Sequence, residues 1–248
     1  LLMNKKHKIA VIGLGYVGLP LIVAFSEHFQ VVGFDINLDR IKDLNDSIDS
    51  NGDIKFLKNN NILFTNKMED VRDSNIYIIT VPTPVTIDNV PDLSLIENAS
   101  KLVANFLNKN DIVIYESTVY PGVTEEVCVP ILAGGSDLKY NVDFYCGYSP
   151  ERISPGADKY TLQNVVKITS GSNVKVAEIV DELYNKIIKV GTYRAPSIRV
   201  AEAAKVVENT QRDVNIALMN ELAMMFDKMD IDTLEVLNAA KSKWNFLD

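Results

Sequence analysis

KIAVIGLGYVGLP, residues 8–20, joins an apolar run to a glycine-rich turn and then to a second apolar segment. Gly13, Gly15 and Gly18 form the pattern G-x-G-x-x-G between a predicted strand and a predicted helix. In a dinucleotide-binding turn the first glycine permits the sharp turn, the second admits the pyrophosphate, and the third lets helix and strand pack closely. Unpaired N–H groups at the helix N-terminus attract phosphate. The stretch therefore predicts a dinucleotide-binding unit.

The second predicted strand, residues 30–36, carries Asp35 near its end. A carboxylate at this place accepts hydrogen bonds from ribose hydroxyls and repels a 2′-phosphate, so NAD is favoured over NADP. Arg40 leaves NADP open, because an arginine nearby can accommodate that phosphate. The alternative is an ordinary βαβ unit with a surface aspartate.

Strand and helix patterns alternate along the chain. Strands are predicted at 8–15, 30–36, 74–84, 111–118, 141–152 and 165–171, helices at 16–28, 38–47, 93–109, 123–133 and 173–188, and a loop at 49–54. This alternation predicts an α/β fold with a doubly wound, mainly parallel Rossmann-type sheet. Residues 1–196 would form the NAD-binding domain.

A different pattern begins at Ser197. Residues 197–230 contain no glycine or proline and predict one helix of about thirty residues, with a second helix at 233–241. The mean length of a helix in a globular domain is about 11–12 residues. A helix of about thirty residues usually bridges domains or forms a subunit interface. We therefore expect 197–248 to be a long central helix with the start of a further domain, and to form a homodimer.

Three predicted strands end in polar loops, VPTP (81–84), EST (116–118) and SPER (149–152). Ligands of parallel sheets bind outside the carboxyl ends of the strands, so these loops would surround a nicotinamide. Thr83 and Thr118 would offer hydroxyl groups. For any single loop, a turn without a ligand is an equal alternative.

Lys205, Asn209 and Arg212 fall at i, i+4 and i+7 of the long helix, which places three donors on one face. Small apolar residues surround them: Val200, Ala201, Ala203, Ala204, Val206 and Val207. That surround predicts a largely buried helix, in which a lysine serves as an acid, a base or an oxyanion partner. A solvated helix face is the alternative.

Composition excludes several classes of protein. A net charge of −8 over 248 residues argues against a general nucleic-acid-binding surface. No apolar run approaches the ~20 residues of a membrane span, so we expect no membrane contact. Cys128 and Cys146 fit inert core thiols in a reducing cytoplasm, and the two histidines, His7 and His28, make a metal site unexpected.

The motifs together resemble one family. GLGYVGLP (13–20), GFDIN (33–37), TVPTP (80–84), YESTVYPGVTEE (115–126), GYSPERISPG (147–156) and AEAAKVVENTQRDVNIALMNELA (201–223) occur in this order. They resemble the nucleotide-sugar 6-dehydrogenases, the UDP-glucose and GDP-mannose dehydrogenase family. SPERI-x-PG and the ending AAKSKWNFL are most similar to the UDP-N-acetylhexosamine branch of bacterial capsule and O-antigen synthesis.

The resemblance implies oxidation of a sugar C6 alcohol to a uronic acid, with two hydride transfers to two NAD and a cysteine thioester. It implies that Lys205 and Asn209 stabilise the C6 oxyanion, that Glu151 assists thioester hydrolysis, and that Thr118 positions water. The implied NAD site is Tyr16, Val17, Asp35, Arg40, Pro82, Thr83 and Thr118, besides the three glycines. The implied substrate contacts are Glu151, Arg152, Ile153, Lys205, Asn209 and Arg212.

Two departures from the family pattern matter. The nucleophilic cysteine of the family lies in a G-G-H-C-x-G-x-D-P loop that this sequence does not contain, and much of the UDP site lies in a further domain. We therefore expect an N-terminal fragment that binds NAD but does not complete the oxidation alone. Pro155 stands where the UDP-glucose enzymes have a glutamate, which favours the acetylated-sugar branch.

The residues leave two alternative functions open. A β-hydroxyacid dehydrogenase shares G-x-G-x-x-G and a Lys-x-x-x-Asn helix but needs neither EST nor SPER. A non-enzymatic NAD-sensing module would use the long helix to transmit a conformational change.

Overall fold

The computed structural model describes residues 7–52, 62–153 and 161–246, so the predicted loop position at 53–54 and Pro155 lie outside the described residues. The chain divides into two compact units, Leu1–Ala203 and Ala204–Asp248. Each unit is described by itself below.

The first unit is built on a six-stranded parallel sheet. The strands are β1 (Lys8–Ile12), β2 (Gln30–Phe34), β3 (Ile62–Thr65), β4 (Ile76–Ile79), β5 (Ile112–Tyr115) and β6 (Tyr145–Tyr148), in the order β3-β2-β1-β4-β5-β6. Every neighbouring pair is parallel. This is the strand order of a dinucleotide-binding sheet, whose order reverses between β1 and β4, and it confirms the predicted fold class.

Helices cover both faces of this sheet. They are α1 (Gly18–Ser26), α2 (Leu38–Asn45), α3 (Ser94–Ala104), α4 (Val129–Ser136) and α5 (Val174–Asn185). One cluster buries α1 and α5 residues such as Phe25 and Val180 against Val11 and Ile114. On the other face the buried hydroxyls of Ser100 (α3) and Tyr115 (β5) are 2.8 Å apart. The central strands β4 and β5 are buried at every position, as strands of a parallel sheet covered on both faces must be.

Three strands depart from the prediction. β3 was not predicted, because it is a short edge strand with Leu63 exposed and a weak apolar pattern. The predicted strand at 165–171 exists as β7 (Lys167–Thr169), but its place in the main sheet was wrong. It pairs in parallel with β8 (Thr192–Arg194) in a separate two-stranded sheet. β8 is three residues long and partly exposed, so its sequence is too short to show the alternating apolar pattern that predicts a strand.

The predicted helix at 123–133 contains an irregularity. A π-helical turn over Thr124–Cys128 precedes α4, so the polypeptide is helical where expected but is not one regular α-helix. The residue types of this segment favour a helix, but they do not determine whether each N–H bonds the carbonyl four or five residues earlier.

α6 (Ile198–Lys228) is a single helix of 31 residues, as predicted, and α7 (Thr233–Ala240) follows it. Asp232 caps the N-terminus of α7, because its side chain accepts a hydrogen bond from the Glu235 N–H at 2.9 Å. The expectation of a largely buried α6 is wrong, because Val200, Val206 and Val207 are exposed. Apolar residues spread around a helix indicate burial only where other elements surround it.

No helix among the described residues is both long and apolar enough to cross a membrane.

Candidate active site

The glycine turn between β1 and α1 has the geometry that its sequence predicts. Gly13 adopts φ +97°, and its N–H donates to the Phe34 carbonyl at 2.8 Å. A Cβ on Gly18 would lie 1.9 Å from the Gly13 carbonyl oxygen, so only glycine lets α1 approach this closely. A Cβ on Gly15 would meet no atom within 4 Å. The turn therefore closes tightly on one side and leaves Gly15 open on the other.

Asp35 lies directly after β2, beside this turn. Its Oδ2 accepts the Leu14 N–H at 2.8 Å and its Oδ1 accepts the Asn37 N–H at 2.9 Å. Each carboxylate oxygen can accept a second hydrogen bond. The carboxylate is therefore fixed in orientation while it retains acceptor capacity for two ribose hydroxyls.

A cleft of about 590 Å³ opens along the carboxyl ends of the strands. This volume lies in the range of small-molecule and cofactor sites. Among its lining residues are the predicted Gly13, Gly15, Tyr16, Val17, Asp35, Pro82, Thr83, Thr118 and Glu151. The three polar loops therefore meet at one edge of the sheet, as the strand ends predicted.

Two of these loops, VPTP (81–84) and EST (116–118), are joined by hydrogen bonds. The Thr83 hydroxyl donates to the Thr118 carbonyl, and the Ser117 hydroxyl donates to the Val81 carbonyl at 2.5 Å. The VPTP and EST segments therefore form one continuous wall of the cleft.

Glu151 lies in the same cleft with 8% of its surface exposed. Its carboxylate accepts the Ile153 N–H, which fixes the side chain against its own loop. Burial, and then the negative charge of Glu151, raise the pKa of the Tyr16 hydroxyl above its ordinary value. Tyr16 therefore stays neutral beside a carboxylate.

These features test whether a dinucleotide fits. The open space over Gly15 suits a pyrophosphate, the Asp35 carboxylate suits a ribose, and the cleft has sufficient volume. The residues fit NAD, and among the described residues that line the cleft no lysine or arginine supplies a positive charge for a 2′-phosphate.

Arg40 does not line this cleft. It is buried, its Nε donates to the Leu14 carbonyl at 2.9 Å, and its Nη1 pairs with Asp49 at 2.8 Å. These bonds make Arg40 a support for the backbone behind the glycine turn. Its direct role in cofactor binding stays a prediction.

Arg152 and Ile153 are also outside the cleft wall. The Arg152 Nη1 donates to the Val166 carbonyl at 2.7 Å, and Ile153 packs partly buried against the apolar core. Their substrate contacts stay predictions.

Lys205, Asn209 and Arg212 belong to the second unit. The Arg212 Nη2 donates to Asn209 Oδ1 at 2.8 Å, and Lys205 is 8% exposed. One helix face therefore holds the three side chains, as their spacing predicted. Their roles towards a substrate stay predictions.

One wall of the cleft was missed by the sequence interpretation. Leu95, Asn98, Ala99 and Leu102 of α3 line it. Their spacing is i, i+3, i+4 and i+7, which predicts one face of a helix but does not distinguish a ligand wall from a core face. The polar Asn98 within that apolar face is the signal that could have indicated a ligand.

Both cysteines are buried and free. Burial raises the pKa of Cys128 to about 11 and raises that of Cys146 well above its ordinary value. Both thiols are therefore neutral at physiological pH, which agrees with the expectation of inert core residues.

Comparison with known families assigns both parts of the chain. Residues 7–188 match the NAD binding domain of the UDP-glucose/GDP-mannose dehydrogenase family, and residues 199–247 match the central domain of that family. The first match identifies NAD as the cofactor.

Individual relatives agree with this assignment. A UDP-N-acetyl-D-glucosamine 6-dehydrogenase of Salmonella typhi is 57% identical over 248 residues, which cover 97% of this chain and 57% of the relative. Protein CapL of Staphylococcus aureus is 52% identical, covering 99% of this chain and 58% of the relative. This chain thus spans less than two thirds of the length of these relatives.

A solved structure shows the same fold. The UDP-D-ManNAc dehydrogenase of Pyrococcus horikoshii superposes with a TM-score of 0.89 at 35% identity, over 96% of this chain and 58% of that one. The predicted resemblance is confirmed, and the chain belongs to the UDP-glucose/GDP-mannose dehydrogenase family.

Proposed function

We propose that this chain is the NAD-binding and oxyanion-stabilising part of a UDP-N-acetylhexosamine 6-dehydrogenase. The observation that supports it most is the convergence of Asp35, Thr118 and Glu151 on one cleft. The supporting comparison is the 57% identity with a relative named for that activity. The reaction would convert the C6 alcohol of the sugar to a carboxylate, for surface polysaccharide precursors.

The cofactor would lie across residues 1–196, which we propose as the NAD-binding domain. The glycine turn would receive the pyrophosphate and Asp35 the adenosine ribose. Pro82, Thr83 and Thr118 would contact the nicotinamide end, because they follow β4 and β5, on the opposite side of β1 from Asp35. Bound NAD supplies the hydride acceptor for each of two oxidation steps.

The remaining polar side chains would bind the C6 oxygen and transfer protons during the reaction. Lys205 and Asn209 would donate hydrogen bonds to this oxygen as it gains negative charge, and Lys205 would accept the hydroxyl proton. Glu151 would act as the base for water in the hydrolytic step, and Thr118 would orient that water. Arg212 would contact the substrate further along the same helix face, and residues 197–248 would pair two subunits.

The covalent step would use a cysteine from the part of the relatives that this chain does not match. Cys128 and Cys146 are poor candidates because both are buried and neutral. We therefore expect this chain alone to bind NAD without forming a uronic acid.

The direct test uses a protein that contains this chain together with the remaining length of its relatives. NADH formation is followed at 340 nm with UDP-GlcNAc, UDP-GalNAc, UDP-ManNAc and UDP-glucose, as roughly two NADH per sugar if both oxidations occur. Absence of NADH with all four sugars contradicts the proposal. Turnover of a small hydroxyacid would instead support the hydroxyacid alternative, and NAD binding that only changes oligomeric state would support the sensing module.

A second test concerns Lys205. Replacing it by alanine in that protein should lower kcat by about 100-fold or more, because an oxyanion partner is lost. The NAD Kd, measured by titration of intrinsic fluorescence, should change less than about twofold. A large loss of NAD affinity would mean that Lys205 acts on the cofactor and not on the sugar.

A further inference from the structure

A buried charged cluster lies beneath the cleft and is not used by the proposed chemistry. Lys167 of β7 places its Nζ 2.6 Å from Glu116 Oε2, and the Tyr184 hydroxyl of α5 donates to Glu116 Oε1. The side chains of Lys167 and Glu116 are only 4% and 1% exposed. The Lys167 ammonium also lies 5.3 Å from the centre of the Tyr184 ring.

Lys167 uses its other donors on the loop that carries Glu151. Its Nζ lies 3.0 Å from the Pro150 carbonyl oxygen and 3.5 Å from the Ser149 carbonyl oxygen. Because Glu116 follows β5 and Pro150 follows β6, one ammonium joins the ends of two neighbouring strands. Both strand ends form walls of the cleft.

The residues on either side of Lys167 hold the same loop. The Ser149 hydroxyl donates to the Ile168 carbonyl at 2.7 Å, and Arg152 donates to the Val166 carbonyl at 2.7 Å. Three consecutive residues of β7 and the segment before it therefore contact residues 149, 150 and 152. Glu151 lies between these contacts and faces the cleft.

Stability alone is a weak explanation for this arrangement. Burying two opposite charges costs several kcal/mol per ion, and an apolar pair of similar volume is often as stable or more stable. Loss of one partner, by contrast, leaves a buried unpaired charge. A buried ion pair that also bonds a strand-end loop has a specific geometric effect, since it fixes the distance between that loop and the neighbouring strand.

We propose that Lys167, held by Glu116 and Tyr184, is a positioning residue that fixes Glu151 at the cofactor cleft. The catalytic role of Glu151 in this proposal rests on the proposed function. The contacts between Lys167 and the loop do not depend on that function. Lys167 is not itself a lining residue of the cleft, so it would act through Glu116 and through the loop.

The test replaces both charges, Glu116→Gln with Lys167→Met, so that no unpaired ion remains. The Ile153 N–H donates a hydrogen bond to the Glu151 carboxylate. The rate at which this amide hydrogen exchanges with solvent is measured by NMR on this chain. We expect at least a tenfold faster exchange, because the loop loses its bond at Pro150. In the longer protein we expect kcat to fall ~10- to ~100-fold, as displacements of about 1 Å do, and the NAD Kd to change less, because Glu116 alone of the pair lines the cleft.

Thr169→Val provides the matched control. Thr169 is on the same strand and equally buried, but its hydroxyl donates to Asp181 at 2.6 Å and does not touch the loop. It should leave both Ile153 exchange and kcat within twofold of the unmodified protein. If the control changes them as much as the double variant does, β7 acts through general stability and the proposal is overturned.

Two further outcomes are decisive. Unchanged Ile153 exchange in the double variant overturns the positioning role, whatever the activity. Absence of activity in the unmodified longer protein overturns the proposed function alone, because the exchange measurement still decides the role of Lys167. Should the double variant not fold, Glu116→Gln with Lys167→Gln replaces it, since the shorter amide keeps a polar pair but withdraws the donor from Pro150.

Discussion

At the scale of single residues, the second and third glycines of the cofactor turn, Gly15 and Gly18, have different roles. Gly18 is confined by the Gly13 carbonyl and by the Thr80 hydroxyl, which a Cβ would approach to 1.9 and 2.6 Å. Gly15 faces open space and has an ordinary backbone conformation. Gly18 is therefore needed by the fold, and Gly15 is needed by the ligand.

Alanine substitutions should separate these tasks. Gly18→Ala should destabilise the protein by about 3 kcal/mol, because helix and strand must move apart. Gly15→Ala should leave the melting temperature nearly unchanged but raise the NAD Kd about tenfold, because the methyl group occupies the pyrophosphate position. Thermal unfolding and NAD titration measure both. An unaffected NAD Kd in Gly15→Ala would place the pyrophosphate elsewhere.

Asp35 is the residue on which the preference for NAD depends. Asp35→Asn should raise the NAD Kd by about tenfold and reduce the discrimination against NADP, because the repulsion of a 2′-phosphate disappears. Titration with both cofactors measures the ratio. Asp39→Asn, an exposed neighbour outside the cleft, is the control and should leave the ratio unchanged.

At the scale of elements, Glu202 joins the first turns of α6 to the loop before α4. The buried carboxylate accepts the Gly122 N–H at 2.6 Å and the Thr124 N–H at 3.0 Å. Two backbone donors that begin a helical segment are thereby satisfied. Burial nevertheless raises the pKa of Glu202 above its ordinary value of 4.5, and the hydrogen bonds from Gly122 and Thr124 oppose that rise.

This shift has a definite sign for stability. A carboxyl whose pKa is raised in the folded state contributes most below pH 4.5, and that contribution is lost as pH rises through the folded-state pKa. The melting temperature of the unmodified protein should therefore decline relative to that of Glu202→Gln between pH 4.5 and neutrality. Calorimetry of both proteins over this range measures the difference. A constant difference would show that the pKa is not raised. Glu221→Gln, at an exposed position, provides the control.

At the scale of the whole molecule, the second unit exposes a row of apolar side chains on α6. Val207, Val214, Leu218 and Met225 are exposed, and their separations of 7, 4 and 7 residues place them on one side of the helix. An exposed apolar row is typical of a helix that packs against a partner. It supports the proposal that two copies associate through α6.

The row can be tested by its effect on oligomeric state. Val214→Glu with Leu218→Glu should weaken self-association by about 100-fold or more, because two charges would be buried at the contact. Sedimentation or light scattering over a range of concentrations measures it. Asn220→Glu adds charge on another side of the same helix and should have little effect. If the unmodified chain is monomeric at high concentration, α6 does not pair in this chain.

Local sequence patterns account for most of the fold. The glycine turn, the apolar strands and the unbroken run from Ile198 to Lys228 each produce their element through short-range geometry, and the prediction of each was confirmed. The weaker elements β3 and β8 escaped prediction, because their pairing depends on strands distant in sequence. The loops of the candidate site were predicted to meet, since strand ends in a parallel sheet must share one edge.

Sequence by itself determined that a nucleotide cleft exists and which strand ends form it, because backbone direction follows from the βαβ order. Only the tertiary structure decided how side chains use that edge. It placed Arg40 behind the turn, brought α3 into the cleft wall, and joined Glu116 to Lys167 across fifty-one residues of sequence. Such contacts depend on packing between distant segments, which a local pattern does not contain.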